Sequence, residues 1–159
     1  MTAEDIFFKI ASTDQEFEEG RILFQQYARS LDIDLGFQDF STELMRIDKQ
    51  YNKPKGALLL ACKNNIPAGC AAIRELDKDT AELKRMYVKP EYRKYKIGSR
   101  LLELIIEIAA SFDYKFIRLD TLPTMTKAQD LYRSYGFSEI PSYRFNPVNG
   151  TVFMEKKLK

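Results

Sequence analysis

The run from Glu82 to Leu102 carries the densest chemical information in the chain. It reads as a strand, a basic turn with a single glycine, and the start of an amphipathic helix. Backbone N–H groups at a helix start have no intrahelical partner and together carry roughly half a positive charge, so a phosphate placed there is satisfied by geometry. Arg93, Lys94 and Lys96 lie beside Gly98 in that turn and add mobile cations. The composition narrows the chemistry further. No histidine occurs, which excludes Ser-His-Asp hydrolysis, Cys-His proteolysis and His-ligated zinc, and two separated cysteines, Cys62 and Cys70, cannot build a structural zinc site. Acid–base work near neutral pH falls to Glu, Asp, Tyr, Cys, Lys or water.

The elements that must position this turn follow from periodicity. Ile6–Ile10 reads as a short strand, and Ser12 or Thr13 caps a helix running to about Arg29. Between Leu31 and Phe40 that pattern breaks at Asp32, Asp34, Gly36 and Asp39, which predicts a loop before a short helix around Thr42–Ile47. Ala57–Lys63 and Ala68–Leu76 flank Asn64-Asn65-Ile66-Pro67 as a hairpin, and Ala81–Val88 follows as a third antiparallel strand. With Asn64-Asn65 as a two-residue turn, Cys70 opposes Leu59 and Cys62 points to the other sheet face, so the two should not bond. From Ile97 the positions Leu101, Leu104, Ile105, Ile108 and Phe112 hold one face of a helix of about four turns. Phe116–Asp120 is then a strand parallel to its predecessor through a crossover. A helix over Thr126–Tyr135 ends at Gly136, and Phe137–Ile140 and Thr151–Lys157 complete the sheet.

Two segments resemble the GNAT N-acetyltransferases. Arg93-Lys94-Tyr95-Lys96-Ile97-Gly98 fits that family's Arg/Gln-x-x-Gly-x-Gly/Ala motif after a strand and Val-x-Pro, except for Lys96 at the first glycine. Ala128-Gln-Asp-Leu131-Tyr132-Arg-Ser-Tyr-Gly136-Phe137 is similar to its second signature, Ala-x-x-Leu-Tyr-x-x-x-Gly-Phe, at the usual distance. The resemblance is tight over residues 81–138 and suggests a bacterial small-molecule-type member. It implies an α+β fold in one domain, residues 1–159, with a central mixed, mostly antiparallel sheet of six or seven strands, helices on both faces, and a splay between the fourth and fifth strands.

The resemblance also implies the site. Arg93, Lys94, Tyr95, Lys96, Ile97, Gly98 and Ser99 wrap the pyrophosphate of acetyl-CoA, while Met86, Tyr87 and Val88 bond its pantetheine arm as if it were an added strand. Glu82 stands where some family members place the general base, and Tyr132 where the family tyrosine donates to the departing thiolate. In this reading acetyl-CoA is the acyl donor and no metal takes part. Two departures bear on it. A non-glycine residue at Lys96 in a left-handed turn costs about 1–2 kcal/mol, and Met125 stands where relatives often hold the cofactor arm with asparagine.

The acceptor stays open. Asp32 and Asp34 suit a polyamine or basic peptide, whereas Arg74, Arg118 and Arg144 suit a carboxylate. Tyr27, Phe37, Phe40 and Tyr143 lie in segments able to line its pocket, and the Tyr143–Pro147 loop is placed to close over it. The formal net charge of +2 argues against nucleic acid as a partner, and no apolar run nears the roughly 18 residues of a membrane span. With an acidic N-terminus, the expectation is a cytoplasmic enzyme that acetylates a small amine; the residues leave its oligomeric state open, and the resemblance implies a homodimer as one option, since dimers are common in the family. Its rivals are a non-catalytic acyl-CoA sensor or scaffold and a basic-loop nucleic-acid binder.

Overall fold

A computed structural model of the chain describes residues 5–31 and 35–158; Asp32, Asp34 and the side chain of Phe37 fall outside what it describes. The elements in chain order are β1 (Ile6–Ile10), α1 (Asp14–Ser30), α2 (Phe40–Met45), α3 (Ile47–Gln50), β2 (Ala57–Lys63), β3 (Ile66–Asp77), β4 (Thr80–Val88), α4 (Ile97–Ser111), β5 (Phe116–Thr121), α5 (Thr126–Ser134), β6 (Ser138–Ile140) and β7 (Val152–Lys157). Short 3-10 turns at Leu35–Gln38 and Pro90–Tyr95 precede α2 and α4.

Local chemistry sets several of these boundaries. Thr13 caps α1 in a capping box: its hydroxyl accepts from the Glu16 N–H at 3.1 Å, and the Glu16 carboxylate accepts from the Thr13 and Ser12 amides. The Ser12 amide foremost, with the Thr13 amide and Lys9 behind it, pulls the Glu16 carboxyl down to about 2 against the opposing effect of burial. Asn64 and Asn65 take φ of 51° and 66°, the conformation a two-residue hairpin needs. The helix expected around Thr42–Ile47 is two short ones, parted at Arg46, whose ψ of 20° leaves the helical range.

The seven-stranded sheet runs β1-β2-β3-β4-β5-β7-β6, antiparallel except for β4 beside β5. Helix α4 packs Leu101, Leu102 and Ile105 on one face together with Tyr132 and Phe137 from the α5 segment, while α1 and α3 pack Phe17, Phe24, Ile47 and Tyr51 on the other. Strand β2, covered on both faces, is buried along all seven residues.

Two bulges alter the expected register. An extra residue at Ala68 shifts pairing between Ala61 and Cys62, so Cys70 opposes Leu60 rather than Leu59. By strand alternation both cysteines then share the α1 face, which corrects the expected opposite faces; both are buried free thiols, as expected. The second bulge lies in β4, where Tyr87 opposes Cys70 but Lys84 already opposes Ala72, and Arg85 takes a left-handed φ of 56°. The Cys70 thiol donates to the Arg85 carbonyl at 3.3 Å and so satisfies an acceptor that the bulge removes from the ladder.

Candidate active site

Pairing between β4 and β5 covers only Thr80–Phe116, Ala81–Ile117 and Glu82–Arg118. Beyond Glu82 the strands diverge, and the fork opens a cleft of ≈ 490 Å³. Met86, Tyr87 and Val88 line one wall, Met125–Ala128 and Tyr132 of the α5 segment the other, and Arg93 its outer end. Here the expected β4 residues and Tyr132 come together. Arg93 donates through Nε to the Val88 carbonyl at 2.9 Å, which ties the basic turn to the strand.

The turn ends at Lys96, left-handed at φ 57°, ψ 27°, so the residue in the family's glycine position does adopt the glycine conformation. The first helical bond of α4 runs from the Arg100 N–H to the Lys96 carbonyl at 3.3 Å, and no side chain caps the helix. The amides of Ile97, Gly98 and Ser99 therefore have no acceptor within it. A Cβ placed on Gly98 would meet nothing nearer than Met86 and Val88 at 3.9 Å, so the protein itself does not need glycine there. The open space beside three unpaired amides fits a diphosphate. Lys94 lies with its ammonium 5.5 Å from the Tyr95 ring, and Lys63 approaches the same ring at 4.4 Å. Met125 precedes α5 without capping it, and its sulfur accepts from the Thr121 hydroxyl at 3.6 Å.

Tyr132 is buried against Phe137, with ring centroids 5.8 Å apart, and burial pushes its phenol well above the ordinary range. Glu82 sits elsewhere. Fully buried, it accepts from Arg74 Nε at 3.0 Å and from the Tyr143 hydroxyl at 2.9 Å and pairs with Arg144, and it lines neither the cleft nor the pocket behind it. Arg118 is held by Glu155 at 2.7 Å. All three arginines suited by sequence to a carboxylate ligand are thus engaged by carboxylates of the protein.

Behind the cleft lies a pocket of ≈ 40 Å³ lined by Lys84, Arg85, Asp120 and Asn146. Tyr27, Leu83, Arg85, Asp120 and Thr121 border both spaces, so the two lie side by side. Asn146, from the loop expected to close over the acceptor, donates to Asp120 at 3.3 Å. Arg85 is held by two bonds to Glu43, Nε to Oε2 at 3.0 Å and a terminal nitrogen to Oε1 at 2.8 Å, while Tyr51 donates to the same carboxylate at 3.0 Å and Phe40 lies against the guanidinium at 5.2 Å. Burial opposes the Glu43 charge, yet these bonds hold its carboxyl below the usual range. Burial first, then Arg85, lowers Lys84 to about 7.

Sequence reasoning did not single out Lys84, Arg85 or Asp120. Only Asp120 carried a signal, since it lies near the C-terminal end of the parallel strand, where open sheets bind ligands; Lys84 and Arg85 follow Thr80 and Glu82 in a strand already broken by polar residues and stood out in no way.

A sheet forked at its one parallel pair, with an uncapped helix start beside the fork, defines an acyl-CoA-type transferase architecture. The family model for the acetyltransferase (GNAT) family matches residues 22–137. The chain belongs to that family, and its enzyme class is acyl transfer. It is 32% identical over 160 residues to an uncharacterized N-acetyltransferase of Schizosaccharomyces pombe, covering 99% of this chain and 98% of the relative, so the kinship is not confined to bacteria. A GNAT acetyltransferase of Staphylococcus aureus superposes with a TM-score of 0.80 at 26% identity, covering 97% of this chain and 99% of that one. An Elizabethkingia anophelis GNAT acetyltransferase with acetyl-CoA bound shares the fold at TM-score 0.68 and 20% identity, covering 97% and 99%.

Proposed function

We propose that this protein transfers an acetyl group from acetyl-CoA to the primary amine of a small or amino-acid-like acceptor, by direct attack within a ternary complex. The observation that carries this reading is the fork: β4 leaves β5 after Glu82, and the opened edge leads to the uncapped start of α4 with Tyr132 across from it. Amides of Ile97, Gly98 and Ser99, with Arg93, Lys94, Tyr95 and Lys96 around them, hold the diphosphate. Met86, Tyr87 and Val88 offer backbone groups to the pantetheine arm, and one N–H of that edge polarises the thioester carbonyl.

In this mechanism the acceptor ammonium loses a proton to a carboxylate at the fork. Asp120 borders both spaces whereas Glu82 borders neither, so Asp120 takes the proton and Glu82, first considered for that role, fixes Tyr143 and Arg144. The free amine attacks the carbonyl, the C–S bond breaks, and the second nitrogen proton balances the thiolate. Tyr132 relays it, remaining a phenol at every working pH because burial holds its proton on. A free thiol has a pKa near 8.5, so only modest help is needed.

The test is acceptor-dependent thiol release together with calorimetric titration of acetyl-CoA. Tyr132→Phe is expected to lower kcat by about 10²-fold, the low end for a positioned acid, with acetyl-CoA affinity little changed. Tight acetyl-CoA binding with no release on any amine would favour the sensor reading; absence of binding would defeat both.

A further inference from the structure

We infer that Asn146 is a positioning residue for the transfer: its side-chain amide holds one oxygen of the Asp120 carboxylate and so leaves the other oriented for the acceptor ammonium. This inference rests on the transfer reading above and adds the residue that orients its proton acceptor.

The Asn146 amide is itself oriented. Its Oδ1 accepts from the Val148 N–H at 2.9 Å, which leaves Nδ2 to donate to Asp120 Oδ2 at 3.3 Å. The bond to Val148 is the kind by which asparagine builds a turn on its own backbone. Thr151 closes that turn, its hydroxyl donating to the Val148 carbonyl at 2.8 Å. On the other side of Asn146, Tyr143 donates to Glu82 at 2.9 Å and sets its ring edge-on to Phe153, with centroids 5.2 Å apart, while Arg144 pairs with the same Glu82 carboxylate. The loop is therefore fastened both before and after Asn146, and the bond to Asp120 is not what holds it in place.

What that bond supplies follows from the chemistry of aspartate. The torsion that turns an Asp carboxylate is broad, so an unheld carboxylate samples many orientations. Among the described residues, Asn146 provides the only hydrogen bond to the Asp120 side chain, and Oδ1 takes none. An amide N–H bonded to a carboxylate is about twice as strong as a neutral pair, enough to fix one oxygen and leave the other to receive a proton. Asp120 borders the cleft, whereas Asn146 lines only the small pocket behind it. Asn146 thus acts through Asp120 and not on the substrate.

Thiol release from acetyl-CoA is measured on ethylamine, alanine, lysine and spermidine, and the amine with the highest kcat/KM carries the series. Asn146→Leu removes both bonds of the amide. Asn146→Ser keeps a hydroxyl that serves the turn to Val148 but is too short to reach Asp120. Both are expected to lower kcat by about tenfold, the scale of one hydrogen bond to a charged group, with acetyl-CoA affinity within about twofold by calorimetry. Asp120→Asn is expected to lower kcat by about 10²-fold, and in that background neither Asn146 variant lowers it further. Undiminished kcat in Asn146→Ser, or a loss of equal size beside Asp120→Asn, overturns the inference and leaves the transfer reading intact. Undiminished kcat in Asp120→Asn removes Asp120 as the proton acceptor, and release from no amine sinks the transfer reading itself; in either case the inference falls with it.

Discussion

Lys96 holds φ 57° at the entrance to α4, where only its backbone is required by the turn. Relief of a left-handed lysine is worth about 1–2 kcal/mol, and glycine returns about 0.5–1 kcal/mol of that through the freer unfolded chain. Lys96→Gly is therefore expected to raise the melting temperature by about 1–4 °C for a chain of this size. If its ammonium reaches a phosphate, acetyl-CoA binding weakens severalfold in the same variant. Calorimetry decides, since tighter binding would mean the side chain contributes nothing to the cofactor. Lys96 was readable from sequence because a motif marks the place where glycine is usual. Arg85 adopts nearly the same angle with no local signature, because its conformation comes from a bulge whose position depends on β3. Glu82 shows the opposite limit: its place on the strand was legible, its partners Tyr143 and Arg144 were not, since they arrive from some sixty residues away.

Between elements, the Glu43–Arg85 pair ties α2 to the bulged segment of β4. Removing one partner of a buried ion pair leaves an uncompensated charge, which costs about 3–5 kcal/mol. Glu43→Ala is thus expected to lower the melting temperature by about 10 °C, checked by calorimetric or dichroic melts. The sign with pH follows from the depressed Glu43 carboxyl. Its contribution is fully present above the ordinary carboxylate range and is lost as pH falls through and below it, so wild type and variant converge in acid. A cap at Ser12 or Thr13, the hairpin turn and the α4 stripe were all legible, because each is decided within a few residues of chain. The break at Arg46 and the bulge at Ala68 were not, as both accommodate neighbouring layers rather than local preference.

For the molecule as a whole, the fork predicts where a ligand will be felt. Saturation with acetyl-CoA at about 100 times its Kd is expected to add about 2.7 kcal/mol of stability. Amide exchange is expected to slow at Ile97–Ser99 and at those β4 amides of Leu83–Val88 that do not bond β3; protection confined to other regions would refute the proposed docking. Among the described residues no helix is long and apolar enough to cross a membrane. Taken alone, the sequence determined the type and order of the elements and the two motifs that flank the cleft, because hydrophobic period, caps and turn residues act over short range. Where β4 parts from β5, where its bulge falls, and that Asp120 rather than Glu82 borders the cleft were decided only by the tertiary structure. Those features depend on strand register and on packing between layers, and neither is encoded within any single segment.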